Sequence, residues 1–154
     1  ENLRAFEKWD ELLNKGMRLF AFANSDAHRP ERVGGARSLL YLRDFSVQGV
    51  KESLGHGHLF GSNGPELRFS INGAMMGSTI SVKKGKPVKI SVRAWDASSF
   101  LVITLIERGR VVQRWFGDKG EIIVHPKEST WFRIEVESSH ERFAFSNPIW
   151  VDVI

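Results

Sequence analysis

A carboxylate and an imidazole stand two residues apart in this chain, at Asp26 and His28. They follow residues 17–23, an apolar run that predicts a strand buried on both faces, as in a parallel sheet. Ligand sites in parallel α/β folds lie at the carboxyl ends of strands. In extended backbone, side chains two residues apart point the same way, and carboxylate and imidazole both ligate zinc, manganese or iron. The pair is therefore a candidate set of ligands for a divalent metal. The alternative is that Asp26 caps a turn and His28 is a surface loop residue.

The segment around this pair resembles a metal-binding motif of a known enzyme family. Residues 13–28, which read LNKGMRLFAFANSDAH, are similar to the last metal-binding motif of PHP-domain metallohydrolases, the polymerase and histidinol phosphatase superfamily. Segments 36–42, 47–54, 60–65 and 146–151 follow in the family's order, the last resembling members that append a C-terminal β-domain. The similarity therefore runs along the whole chain, and its Ser-Asp-Ala-His core is the most specific part.

The resemblance implies a distorted seven-stranded β/α barrel holding two or three metals, with Asp26 and His28 as two of the ligands. Such a site hydrolyses a phosphoester, or a related ester or amide, through a metal-activated water. Two departures stand out. Residues 22–24 read Phe-Ala-Asn where a glycine is common, and the family's early His-x-His and its middle Glu and His ligands have no counterpart here. We therefore expect no complete set of catalytic residues in this chain, and weak metal binding or none.

Other polar residues near the pair are weaker candidates. Arg29 follows it in a loop marked by a proline and paired glycines, and a guanidinium matches phosphate oxygens in a bidentate way. Arg29 is therefore a candidate substrate-binding residue, against the alternative of a solvent-facing loop arginine. His56 and His58 form a second histidine pair, but they follow a helix end rather than a buried strand, so we do not assign them to a metal. His125 and His140 are isolated and receive no role.

Composition narrows the class of protein. Hydrophobic residues make up 42% and charged residues 26%, as is ordinary for a globular domain, and the absence of Cys excludes disulfides and thiolate metal sites. The net charge of +4 is scattered apart from Lys83, Lys84 and Lys86, which no aromatic residue interrupts, so we expect no nucleic-acid partner. No apolar run is long enough to span a membrane. Because the chain begins with Glu1 and shows no signal-peptide pattern, we expect the C-terminal portion of a longer protein.

Two hydrophobic patterns divide the chain. Residues 1–64 read as helix–strand–helix–strand, beginning with an amphipathic helix over residues 3–13, and we interpret them as a remnant of a PHP-type β/α barrel. From Glu66 onward the period changes to two, with seven or eight short strands separated by turns, which favours an immunoglobulin-like antiparallel β-sandwich over residues 65–154. The predicted fold class is therefore α+β, with the division at residue 64.

Two functions from different classes fit these patterns. The leading hypothesis is the C-terminal portion of a PHP-type metal-dependent hydrolase, with a small-molecule phosphoester as substrate and divalent zinc, manganese or iron as cofactor. The rival is a non-catalytic β-sandwich that binds a polysaccharide or a partner domain. Its tryptophans would form either a sugar-stacking face or part of the core; they are Trp95, Trp115, Trp131 and Trp150.

The first helix also predicts self-association. Its apolar face would lie uncovered in a truncated barrel, and pairing two copies through that face would bury it, so we predict a homodimer. The alternative is that the sandwich folds back over the helix within one chain.

Overall fold

The computed structural model describes residues 2–97, 100–139 and 141–154; His140 lies outside these ranges. Two α-helices and a short 3-10 helix at Pro30–Arg32 lie in the first third of the chain. The α-helices are α1 (Asn2–Asn14) and α2 (Val47–His56). The strands are β1 (Arg37–Leu40), β2 (Leu59–Ser62), β3 (Glu66–Ile71), β4 (Ala74–Met75), β5 (Thr79–Val82), β6 (Val88–Trp95), β7 (Leu101–Glu107), β8 (Arg110–Phe116), β9 (Lys119–Val124), β10 (Thr130–Ser138), β11 (Phe143–Ser146) and β12 (Ile149–Val153).

The strands form two facing sheets. In the large sheet, β10 is central: β7 and then β8 lie on one side of it, and the other side is shared by β11 and β12. Strand β11 leads on to β2 and β1, while β12 pairs in parallel with β5. The small sheet has the order β4-β3-β6-β9 and is antiparallel. The predicted α+β class and antiparallel β-sandwich are therefore confirmed.

The main hydrophobic core lies between the two sheets. Strand β6 shows why the sequence builds it, since residues from Val88 to Trp95 alternate between core and solvent as the two-residue period requires. Both predicted segments contribute, because Phe60 of β2 is buried in this core beside residues of β3, β6, β7 and β10. The division at residue 64 stays a prediction, and the two segments share one sheet and one core.

A second apolar layer lies on the outer face of the large sheet. Helix α1 packs there, leaving Trp9 and Leu13 only 8% and 2% exposed. Its apolar partners on the sheet are Ile106, Trp131, Phe145 and Trp150. The uncovered helix face that motivated the homodimer is therefore not present, because the large sheet is apolar on both faces and covers the helix within one chain. The homodimer itself stays a prediction.

A buried arginine joins α1 to the large sheet. Arg133 on β10 is 2% exposed, and its Nε and Nη2 each donate to the Asp10 carboxylate at 2.8 Å. Its Nη1 donates to Glu135 at 2.6 Å, and the guanidinium lies 5.3 and 5.4 Å from the ring centroids of Phe6 and Trp9. Burial opposes the charge, but Asp10 and Glu135 outweigh it and raise the pKa of Arg133 above its ordinary value.

Residues 17–23 are extended but do not form a strand, so the prediction of a buried strand there is wrong. Their burial alternates: Ala21 and Ala23 are half-buried on the large sheet, whereas Phe22 is 52% exposed. Their backbone bonds go to side chains. Asn147 pairs with the N–H and C=O of Ala21, and Ser38 does the same for Ala23. A strand needs a ladder partner, and within the described residues this segment lies across the sheet face rather than beside a strand.

Candidate functional site

Asp26 and His28 lie at the end of this extended segment. Both side chains are exposed, whereas Ser25, which precedes them, and Ala27, which lies between them, are half-buried. The two side chains therefore share the solvent side of the segment. Asp26 has a φ of +47°, and its N–H donates to Oδ1 of Asn24 at 3.0 Å, which makes a local turn. Asp26 lies in this turn and His28 follows it. The pair is therefore not at the carboxyl end of a strand, and that part of the prediction is wrong.

The His28 ring is oriented by the backbone. Its Nδ1 lies 2.9 Å from the carbonyl oxygen of Asp26. With the proton on Nδ1, this nitrogen donates to the carbonyl and Nε2 keeps its lone pair for a ligand. Histidines that bind metals are commonly oriented by such a bond, so the arrangement suits a ligand role without requiring one.

Asp26 also lines an open cleft with a volume of about 650 Å³, between α1 and the extended segment. The floor is aromatic, with Phe143 and Phe145 from β11, and Phe6 and Trp9 form the helix wall. The remaining lining residues are Ala5, Ala21, Phe22, Ala23, Asn24, Ala36, Gly61, Ser62 and Asn63. The cleft thus offers an apolar surface with one carboxylate at its rim, while His28 lies outside the lining.

Asn147 fixes the position of the segment that carries Asp26. It is fully buried, and its Oδ1 accepts from the N–H of Ala21 at 2.7 Å. Its Nδ2 donates to the carbonyl oxygens of Ala21 and Leu59 at 3.2 and 3.1 Å. Sequence reasoning missed this role, although an asparagine directly before Pro148, where β11 ends, was a signal that a polar side chain replaces ladder bonds there.

Gly61 provides the space under the same segment. A Cβ at this position would lie 2.4 Å from the Phe145 ring and 2.8 Å from the Cβ of Ala23. Both distances are below any normal carbon–carbon contact. The backbone of β2 and the extended segment therefore approach each other closely only because residue 61 has no side chain.

Arg29, the candidate substrate-binding residue, is exposed directly after the pair and precedes the 3-10 helix. Within the described ranges its guanidinium makes no ion pair. Its predicted contact with a substrate anion therefore stays a prediction.

The two residues do not complete a metal site. Among residues 2–97, 100–139 and 141–154, no group of three His, Asp or Glu side chains lies close enough to hold a metal ion. His56 and His58 stack with ring centroids 5.6 Å apart, and burial, followed by the charge of His56, lowers the pKa of His58. This pair of rings lies at the end of α2, apart from the residues that line the cleft.

The tryptophans do not form an exposed row. Trp131 and Trp150 are 3% and 6% exposed, and they pack beneath α1 rather than between the sheets. Trp115 is half-buried, whereas Trp95 is exposed on the outer face of the small sheet. Two of the four tryptophans that could have formed a sugar-stacking face are therefore buried.

Comparison with known proteins gave matches only among solved structures. No protein-family model and no curated protein matches the chain. Among solved structures, an engineered protein matches 59% of this chain at 11% identity with a TM-score of 0.37, and the match covers 21% of that protein. A CARDB domain from Pyrococcus furiosus, solved in complex with di-metal ions, matches 59% of this chain and 96% of its own at 13% identity and a TM-score of 0.33.

The match spans about a fifth of the engineered protein's length. Because both TM-scores lie below 0.5, neither likeness assigns a fold family or a function. Neither described α-helix has the length and apolar character needed to cross a membrane.

Proposed function

We propose that this chain is the C-terminal portion of a PHP-type metal-dependent hydrolase, a phosphoesterase, and that Asp26 and His28 are two of its metal ligands. The observation that supports this proposal is the arrangement of Asp26 and His28. Both side chains are exposed on one side of the segment, and a hydrogen bond to the Asp26 carbonyl orients the His28 ring. The sequence resemblance supplies the family. As part of this proposal, residues 1–64 are a remnant of a PHP-type β/α barrel and residues 65–154 are an immunoglobulin-like β-sandwich.

The donor set fits part of a transition-metal site. One carboxylate and one neutral imidazole suit zinc, manganese or iron, but a closed site needs further ligands, which the rest of the larger protein would supply. A bound metal would lower the pKa of a water molecule and stabilise the charge that develops on a phosphoester. Arg29 follows the ligands directly, and its guanidinium would bind the substrate anion.

The test uses the larger protein that carries the remaining ligands, loaded with zinc, manganese or iron. Asp26→Ala and His28→Ala are expected to lower both the metal content and the rate of p-nitrophenyl phosphate hydrolysis by at least about 100-fold. His125→Ala, which removes an exposed histidine after β9, is the matched control and should leave both unchanged. Full metal content and full activity in both ligand variants would overturn the proposal.

The rival function, a non-catalytic binding module, is favoured by a different surface, namely the exposed outer face of the small sheet around Trp95. Absence of hydrolase activity in the metal-loaded larger protein would favour this second function.

A further inference from the structure

The outer face of the small sheet carries three cations in one line. Arg68 on β3 is directly opposite Arg93 on β6, and Arg93 is directly opposite Lys119 on β9. All three are exposed, and within the described part of the chain none forms an ion pair. Like charges directly opposite each other on a sheet are destabilising, so the juxtaposition of these cations does not itself stabilise the sheet.

One neighbouring carboxylate, Glu121, interacts with Lys119, although its ion pair is with another lysine. Glu121 pairs with Lys89 at 2.9 Å, and the pKa of Glu121 is lowered, mainly by its hydrogen bond to Lys89. Arg68 lies over the ring of Trp95, with its guanidinium carbon 5.8 Å from the ring centroid. A cation–π contact leaves the positive charge intact, so the row keeps its affinity for an anion.

Two depressions adjoin the row. Their volumes are about 430 Å³ and about 700 Å³, and both include Ser91 and Arg93 in their lining, so they adjoin at these two residues. Tyr41 borders the first, and Trp115 borders the second. Trp115 is half-buried and packs against the core beside Gly120, where a Cβ would lie 2.2 Å from the indole ring.

We propose that the cation row Arg68–Arg93–Lys119, with Trp95 and the two adjoining depressions, binds an acidic polysaccharide whose sugars carry carboxylates. The cations are spaced by one strand separation, about 4.8 Å, which is comparable to the length of one sugar unit. Aromatic rings stack on sugar faces, and Trp95 is the exposed ring of this face. Ser70 and Ser91 form the next cross-strand pair, where their hydroxyls would hydrogen-bond a hydroxylated ligand. A row of charges across three strands fits a chain better than a compact ion. This inference is independent of the proposed hydrolase function.

The experiment titrates the chain with polygalacturonate oligomers and follows binding by calorimetry and tryptophan fluorescence. Arg93→Thr is expected to weaken binding at least tenfold, because it removes the central charge of the row. The same substitution should not lower the melting temperature, because it also removes the repulsion and introduces a residue that favours strands. Arg114→Thr, which removes an exposed arginine from β8 in the large sheet, is the matched control and should bind like the unsubstituted chain.

Lys119→Gln gives a second variant, so that the result does not depend on the folding of one protein. Loss of binding in both row variants, with no binding to fully methyl-esterified oligomers, supports the proposal. Unchanged affinity in both row variants would overturn it, as would equal affinity for the neutral esters. Tighter binding of single-stranded DNA than of the uronate oligomers would also overturn it, in favour of a nucleic-acid surface.

Discussion

At the scale of single residues, Arg133 shows how far a sequence pattern reaches. The two-residue alternation of β10 correctly places Ile134 on the core side and Arg133 on the other. The alternation does not show that Arg133 is buried, because it is α1 that covers that face of the large sheet. The periodicity of a strand assigns side chains to faces, but what covers a face is decided by another element.

The ion pair of Arg133 with Asp10 gives a stability prediction. Asp10→Ala leaves a buried guanidinium with only Glu135, so the free energy of unfolding is expected to fall by about 3–5 kcal/mol. Glu11→Ala is the control one residue away, and it should change stability little, because Glu11 pairs with Lys8 and Lys15 in solvent. Urea denaturation of both variants measures the difference, and equal effects would contradict the structural role of the buried pair.

His58 makes the stability depend on pH. Its folded pKa is lowered from 6.5 by burial and then by His56, so the unfolded chain binds the proton more readily. This contribution to stability is therefore complete above pH 6.5 and is lost as the pH falls below it. His58→Gln is expected to reduce the drop in melting temperature between pH 7.5 and pH 5.5, measured by circular dichroism. The His125→Gln control should keep the full drop, and an unchanged drop in His58→Gln would contradict the argument.

At the scale of elements, the sequence predicted those whose signals are local. Helix α2 has a local N-terminal signal, since the Ser46 hydroxyl accepts from the N–H of Gly49, and Pro148 lies between β11 and β12, where a missing N–H cannot join a ladder. The apolar run at residues 17–23 gave a wrong prediction of a strand, since such a run forms a strand only where neighbouring strands supply a ladder of hydrogen bonds. Here Asn147 and Ser38 supply those bonds over long sequence separations, which no local pattern reveals.

The contact between β2 and the extended segment can be tested at Gly61. Gly61→Ala places a methyl group 2.4 Å from the Phe145 ring, so we expect a loss of about 1–3 kcal/mol and a displaced segment around Asp26. Gly55→Ala in α2 is the matched control, because no atom lies within 4 Å of the new methyl group. Alanine favours helix over glycine, so Gly55→Ala should stabilise slightly. Chemical denaturation checks both signs, and a neutral Gly61→Ala would show that the segment is loosely held.

At the scale of the whole molecule, the chain is a three-layer assembly: α1 with the extended segment, the large sheet and the small sheet. The sequence predicted the sandwich and the helix but not that the helix lies on the sandwich. The candidate pair Asp26–His28 was found from the sequence because its two residues are adjacent in it. Its support by Asn147 was not, because that residue is 126 positions from Ala21, which it holds.

Because the large sheet covers the apolar face of α1, the predicted homodimer would need a different surface. Large apolar side chains are exposed instead between residue 33 and the first residue of α2, with Phe45 at 99%, Val47 at 75% and Val33 at 73%. Burying a phenylalanine or valine stabilises by roughly 1.5–3 kcal/mol, and a two-fold axis would bury each of them twice. We therefore expect light scattering at micromolar concentration to give a dimer mass for the unsubstituted chain.

Phe45→Ser should shift that mass towards the monomer, because it removes the most exposed apolar side chain of this surface. Leu3→Ser is the matched control: Leu3 is 79% exposed on α1, the helix that first suggested the dimer, and its substitution should leave the mass unchanged. A monomeric unsubstituted chain would contradict the dimer altogether. Dissociation by Leu3→Ser but not by Phe45→Ser would return the interface to the helix, and the apolar surface around Phe45 would then have no part in self-association.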